Sequence, residues 1–210
     1  TIALKYGTLE DVQEGIRVIG QVFGKEERAE ELVGFQQDIM AYFETKKAAL
    51  EGKAKPKVLY LRDRDLKVAA GETVNTMMIE TAGGVNVAKD VQGQWTPVTM
   101  EQIAAWDPDV IILSDFDPIQ PADLFEDKLE GQNWKNIKAV REGRVYKAPN
   151  GLYRWDAPCV ETPLMIKWIA QKLHPDVFGD YRLTDDLRAF YEKFFSYTLT
   201  DADLKMILHE

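Results

Sequence analysis

Residues 96–115, TPVTMEQIAAWDPDVIILSD, constrain the fold more than any other stretch of the chain. Thr99 stands before a helical run with Gln102 three places on, a capping-box pattern. Asp107-Pro108 is a turn signal that ends the helix. Residues 110–114 (VIILS) then form a short apolar run without polar alternation, the pattern of a strand covered on both faces of a parallel sheet. Such a strand needs helices above and below it. Residues 57–61 (KVLYL) read the same way, and 143–149 (GRVYKAP) supply a third strand. Residues 67–70 (KVAA) fit a second short strand or an extended approach. Helical signals recur at 73–82, closed by Gly83-Gly84, and at 136–140, 161–172, 183–197 and 200–209. The expected fold class is α/β: a Rossmann-like lobe with a mainly parallel sheet covered by helices.

The first fifty residues carry helix without a strand partner. Thr8 opens a helix with Asp11 at the third position, and Val12, Ile16, Ile19 and Phe23 recur at helical spacing until Gly24. A second helix follows from about Lys25 to Leu50, with Ala29, Leu32, Val33, Gln36, Ile39, Met40 and Phe43 on one face. At ~1.5 Å per residue it spans about 40 Å, enough to act as a strut between two bodies. The expected organisation is a helical segment over 1–52 and an α/β lobe over 53–210.

Net charge is -9, from 35 acidic and 26 basic residues, and no basic block stands out. That disfavours a nucleic-acid partner, which requires a basic face. No apolar run approaches the ~20 residues of a membrane span, and no basic-then-apolar leader is present. Cys159 is the single cysteine and reads as a small buried hydrophobe. His174 and His209 are too far apart for a local metal motif, so neither metal nor cofactor is expected. No P-loop, no G-x-G-x-x-G after a strand and no G-x-S-x-G occurs, which argues against an enzyme.

The order of motifs carries a resemblance. Residues 8–35 (TLEDVQEGIRVIGQVFGKEERAEELVGF), 78–90 (MIETAGGVNVAKD), 99–115 and 155–180 (WDAPCVETPLMIKWIAQKLHPDVFGD) resemble the helical-backbone class of periplasmic substrate-binding proteins, the iron-chelate and cobalamin type that serves ABC importers. The resemblance implies two α/β lobes joined by a long helix, with this chain holding that helix and the C-terminal lobe; the N-terminal lobe is absent from it. It implies capture of a ligand between the lobes, with little closure, and delivery to a membrane permease. The expected ligand is a metal chelate, a ferric siderophore first; haem, a corrinoid, and molybdate or tungstate are alternatives. The protein is expected to be monomeric, periplasmic or lipid-anchored outside the cytoplasmic membrane, with its signal segment outside this chain. An α/β enzyme and a non-transport interaction domain are the alternatives of another class.

Ligands of open α/β sheets sit beyond the carboxyl ends of the strands. Three segments are expected there: the turn with Gly84 and Asn86, residues 114–118 (SDFDP), and the loop 150–155 (NGLYRW). Arg154 offers a planar fork for an anion, and Tyr153 and Trp155 offer flat apolar faces. Arg154, Trp155, Tyr153, Gly84 and Asn86 are therefore the expected ligand contacts. Asp115 and Asp117 read as turn and strand-end residues rather than metal ligands. Trp95 and Trp134 are either rim aromatics or packing. The resemblance further implies an acidic surface residue that docks to permease arginines, expected at Glu161, where a carboxylate also suits a helix N-terminus.

Overall fold

A computed structural model describes residues 2–5 and 7–210, and the backbone alone of residue 47. Helix α1 (Leu9–Phe23) begins at Thr8, whose hydroxyl accepts from the Asp11 N–H while the Asp11 carboxylate accepts from the Thr8 N–H, and ends at left-handed Gly24. Helix α2 (Glu26–Leu50) follows. Of its expected face, Ala29, Val33, Gln36, Ile39 and Phe43 are buried. The Gln36 amide donates to the Val160 carbonyl at 2.8 Å and so ties the long helix to the lobe.

The lobe follows as β1 (Lys57–Leu61), β2 (Lys67–Ala69), α3 (Val74–Thr81), β3 (Val85–Asn86), β4 (Trp95–Pro97), α4 (Met100–Trp106), β5 (Val110–Leu113), α5 (Pro121–Phe125), α6 (Lys138–Arg141), β6 (Val145–Lys147), α7 (Thr162–Leu173), α8 (Pro175–Phe178), α9 (Leu183–Phe195) and α10 (Asp201–Leu208). The sheet runs β4-β2-β1-β5-β6, with β3 also on β1. β1, β3, β5 and β6 run parallel; β2 is antiparallel to β1, and β4, antiparallel to β2, runs in the direction of β1 again. The sequence pattern marks the parallel centre and leaves β3, β4, α5 and α8 unmarked: each is short and none carries an unbroken apolar run like those of β1 and β5.

Both faces of the sheet are covered. Val58, Tyr60, Val110 and Ile112 point into one apolar cluster with α2, α3, α7 and α9. Leu59, Leu61, Ile111 and Leu113 point into a second, with α4 and α6. The period of two sorts each strand between two cores, which is why the strands read as unbroken apolar runs.

Candidate functional site

β5 occupies one edge of β1 along its length. β2 and β3 must therefore share the other edge. β3 pairs at the start, Val85 opposite Lys57, and β2 pairs at the end, Val68 opposite Leu61. By this register the end of β4, Pro97 opposite Lys67, is level with the carboxyl end of β1, and the first turn of α3 is tied to the segment after β6 by the Asn75 amide and the Asp156 carbonyl. A cleft of about 450 Å³ opens there, lined among others by Asn75, Trp95, Phe116, Asp156 and Pro158.

A basic-aromatic cluster borders this cleft. The Arg62 guanidinium, just past β1, lies 5.2 Å from the Trp95 ring centroid and 4.8 Å from that of Phe116. The Arg154 guanidinium lies 4.3 Å from the same Phe116 ring and 6.0 Å from Tyr153. Two cations share one aromatic side chain, each attracted to its π-system. Among the described residues Arg62 has no carboxylate partner, and Arg154 reaches Asp115 only at 3.8 Å. The Arg154 Nε–H makes no hydrogen bond at all. Donor capacity is therefore unspent on both guanidiniums.

The floor beneath them is tied down. Asp156 is buried; one carboxylate oxygen accepts from the Ser114 hydroxyl and from the Asp115 N–H at 3.0 Å, and its carbonyl accepts from the Asn75 amide at 3.0 Å. It joins the segments after β5 and β6 to α3. Lys147, also buried, donates to the carbonyls of Ser114, Asp117 and Ile119 at 2.8, 2.6 and 3.0 Å. Its charge is spent on the loop after β5, and burial pulls its pKa down. Asp115 receives the Asn150 amide at 2.7 Å, and Asp117 accepts from the Ile119 N–H. Among the described residues no group of three His, Cys, Asp or Glu could hold a metal ion. Burial pushes the Cys159 thiol to about 12, which makes it a poor nucleophile.

Burial holds the Asp156 carboxyl above the ordinary carboxylate range, against the hydrogen bonds from Ser114 and Asp115. A raised folded-state value means that the folded protein binds this proton more tightly than the unfolded chain does. The resulting stability is complete below the unfolded value of about 3.9 and is lost as pH rises through the raised folded value. Asp156→Asn, neutral throughout, removes this part of the slope. Urea unfolding at about pH 4 and about pH 7 is expected to show a smaller loss of stability across that interval in the variant. Equal losses in both proteins would contradict the assignment.

The expected contacts separate in the structure. Tyr153 is half exposed and Arg154 faces the cleft cluster. Trp155 is fully buried in the core under the loop. Gly84 lies at the amino end of the strands, remote from the cleft, because β3 pairs with the start of β1. A Cβ there would meet Leu173 at 2.7 Å, so the glycine serves close helix-strand packing. Asn86 is buried, donates to the Ala69 carbonyl and the Thr76 hydroxyl, and accepts from the Ala88 N–H. The expectation that the Gly84–Asn86 turn converges on the cleft is corrected by this pairing. Glu161 is corrected too: it is 0% exposed and cannot meet an arginine of another protein as it stands. Its carboxylate accepts from the N–H groups of Leu152 and Tyr153 at 2.9 and 3.4 Å and from the Tyr191 hydroxyl at 3.0 Å. Trp134 is core, bonded through its indole N–H to Gln132, whereas Trp95 is rim. Phe116 lies within the 114–118 segment expected at the cleft, although nothing in the sequence marked it above its neighbours; Arg62 was not legible as a site residue, its only signal being its position just past an apolar strand.

The profile of the periplasmic binding protein family matches residues 1–152. A periplasmic solute binding protein of Veillonella parvula has 56% identity and a TM-score of 0.93, over 99% of this chain and 63% of its own. The molybdate-binding protein MolA of Haemophilus influenzae is 28% identical over 190 residues, 88% of this chain and 51% of MolA. Its molybdate-bound crystal structure aligns with a TM-score of 0.77 over 91% of this chain and 57% of that chain. The high-affinity heme uptake system protein IsdE of Staphylococcus aureus is 28% identical over 145 residues, 67% of this chain and 49% of IsdE. The chain spans about half the length of the curated relatives it matches. With the family profile covering 152 of its 210 residues, the chain belongs to the periplasmic binding protein family.

Proposed function

We propose that the full-length protein is the substrate-binding component of an ABC importer, capturing an anionic metal complex and handing it to a membrane permease without chemical change. Residues 53–210 form one ligand lobe, and the helical segment 1–52 links it to the opposing wall of the cleft. The observation that carries the reading is the pair of guanidiniums held around Phe116 beside an open cleft at the carboxyl edge of the sheet. Arginine forks recognise carboxylate, catecholate or oxyanion groups, and Trp95, Phe116 and Tyr153 give faces for flat chelator arms. The cleft volume of about 450 Å³, one wall only, suits a bulky chelate, which favours a ferric siderophore. A second reading, a molybdate-type oxyanion, draws support from the relative MolA. The proposed location is the periplasm or the outer face of the cytoplasmic membrane; among the described residues no helix is long and apolar enough to cross a membrane.

Tryptophan fluorescence of the full-length protein, titrated with a ferric catecholate, ferric citrate, haemin, cobalamin and molybdate, tests the reading. Trp95 at the rim is the expected reporter. Saturable quenching by one anionic complex, diminished in Trp95→Phe, is the expected result. No binding of any of the five at micromolar concentration would remove the transport reading.

A further inference from the structure

The loop that carries Arg154 is built around a buried negative charge. Asn150 and Arg154 form a one-residue antiparallel bridge, the Gly151 N–H donates to the Tyr153 carbonyl, and the Trp155 N–H donates to the Pro149 carbonyl. The chain therefore reverses within five residues. Its tip side chains, Leu152 and Tyr153, face solvent, while their N–H groups turn inward onto the Glu161 carboxylate. The other carboxylate oxygen accepts from Tyr191 on α9. The indole N–H of Trp155 faces the same carboxylate but falls short of hydrogen-bond geometry. The backbone passes so close over this group that a Cβ on Gly151 would fall 2.2 Å from a Glu161 oxygen. Only glycine fits there.

A fully buried carboxylate without a cation is costly unless donors surround it. Here two amides and one hydroxyl do so, and the amides belong to the residues immediately before Arg154. Burial outweighs these donors and raises the Glu161 pKa. The cost is not needed for helix α7, whose N-cap residue Glu161 makes no side-chain cap bond to the helix. The geometry points to a different use.

We propose that Glu161 is a positioning residue for the ligand site: its carboxylate, braced by Tyr191, clamps the amides of Leu152 and Tyr153 and thereby aims Arg154 at Phe116 and the cleft. The proposal rests on the reading of Arg154 as an anion contact. Glu161 then acts through the loop and touches no ligand. Gly151 is its steric complement, and Tyr191 transmits the position of α9 to the loop.

The test uses full-length Glu161→Leu, Glu161→Gln and Gly151→Ala. Leucine removes both acceptors. Glutamine keeps an oxygen for the two amides and offers an N–H to the Tyr191 oxygen, so it is the conservative rescue. Amide hydrogen exchange at Leu152 and Tyr153 is measured without ligand, with the β5 amides as a control for the global fold. Affinity for the anionic probe that binds best in the titration above is measured beside it, with Arg154→Ala as the reference. Glu161→Leu is expected to speed loop exchange and weaken the probe, each at least about tenfold, the scale of one lost hydrogen bond. The β5 amides stay protected, and Glu161→Gln stays near the parent. If Glu161→Leu does not fold, Gly151→Ala, which displaces the loop from the same carboxylate, is expected to reproduce both effects. Unchanged loop exchange in the variant that folds overturns the clamp. Faster loop exchange with unchanged affinity overturns the positioning role. Loss of affinity in Glu161→Leu with none in Arg154→Ala overturns the route through Arg154, and that pattern alone also removes Arg154 from the ligand reading.

Discussion

Trp155→Ala is expected to lower the stability of the protein by about 3–5 kcal/mol, the range for deleting a large buried aromatic. At the size of this chain that corresponds to a fall in melting temperature of roughly 6–20 °C. The side chain is 0% exposed and belongs to the larger of the two cores, among residues of α2, α3, α7 and α9. Its neighbours on the loop are not free to relax into the space: the Leu152 and Tyr153 amides are bonded to Glu161, and Asp156 is committed to Ser114 and Asp115. Trp155→Phe, which retains most of the volume, is expected to cost less than half as much. Thermal unfolding of the two variants separates packing from ligand contact. A Trp155→Ala protein that melts like the parent but no longer binds would place the indole in the ligand site and take it out of the core.

Arg154→Ala and Arg62→Ala are each expected to weaken binding of an anionic complex by roughly tenfold to a hundredfold, the worth of a charge-assisted hydrogen bond. Their effect on stability is expected to stay within about 0.5 kcal/mol, because both side chains are partly exposed and neither closes a buried ion pair. The two effects are expected to depart from additivity when combined, since both cations share the Phe116 ring. Raising the ionic strength should weaken the parent more than the double variant. A neutral ligand would feel neither substitution. Isothermal titration of the four proteins at low and high salt gives the affinities and urea unfolding gives the stabilities; a double variant of undiminished affinity would falsify the cluster as the anion contact.

What the sequence made legible follows the strength of local signals. The α/β class, the long helix and the strands around Tyr60, Ile112 and Tyr146 were readable because apolar period, caps and Asp-Pro or Gly punctuation coincide there. The side of the sheet on which Gly84 and Asn86 lie was not readable. It depends on β3 pairing with the start of β1 rather than its end, a two-residue contact with no local code. Glu161 was misassigned for a related reason: a carboxylate at the start of a helix is usually exposed, and only the fold of the 150–155 loop over it buries it. Arg62 carried no motif. Its partners Trp95 and Phe116 are 33 and 54 residues away, joined to it only by strand order. Arg154 was legible because its aromatic neighbour and turn residues lie next to it in sequence.

The sheet ends in two three-residue strands, β4 and β6. An open sheet edge is a template on which another extended chain can grow. On β4 that growth is blocked by Pro97, which has no N–H to offer, and by a span of only three residues. Beyond β6 the chain turns back so that the Asn150 N–H meets the Ile207 carbonyl of α10. The short strand that closes one edge against self-association also bears Trp95, so the aromatic rim of the cleft stands on an element whose brevity keeps neighbouring copies from adding to the sheet.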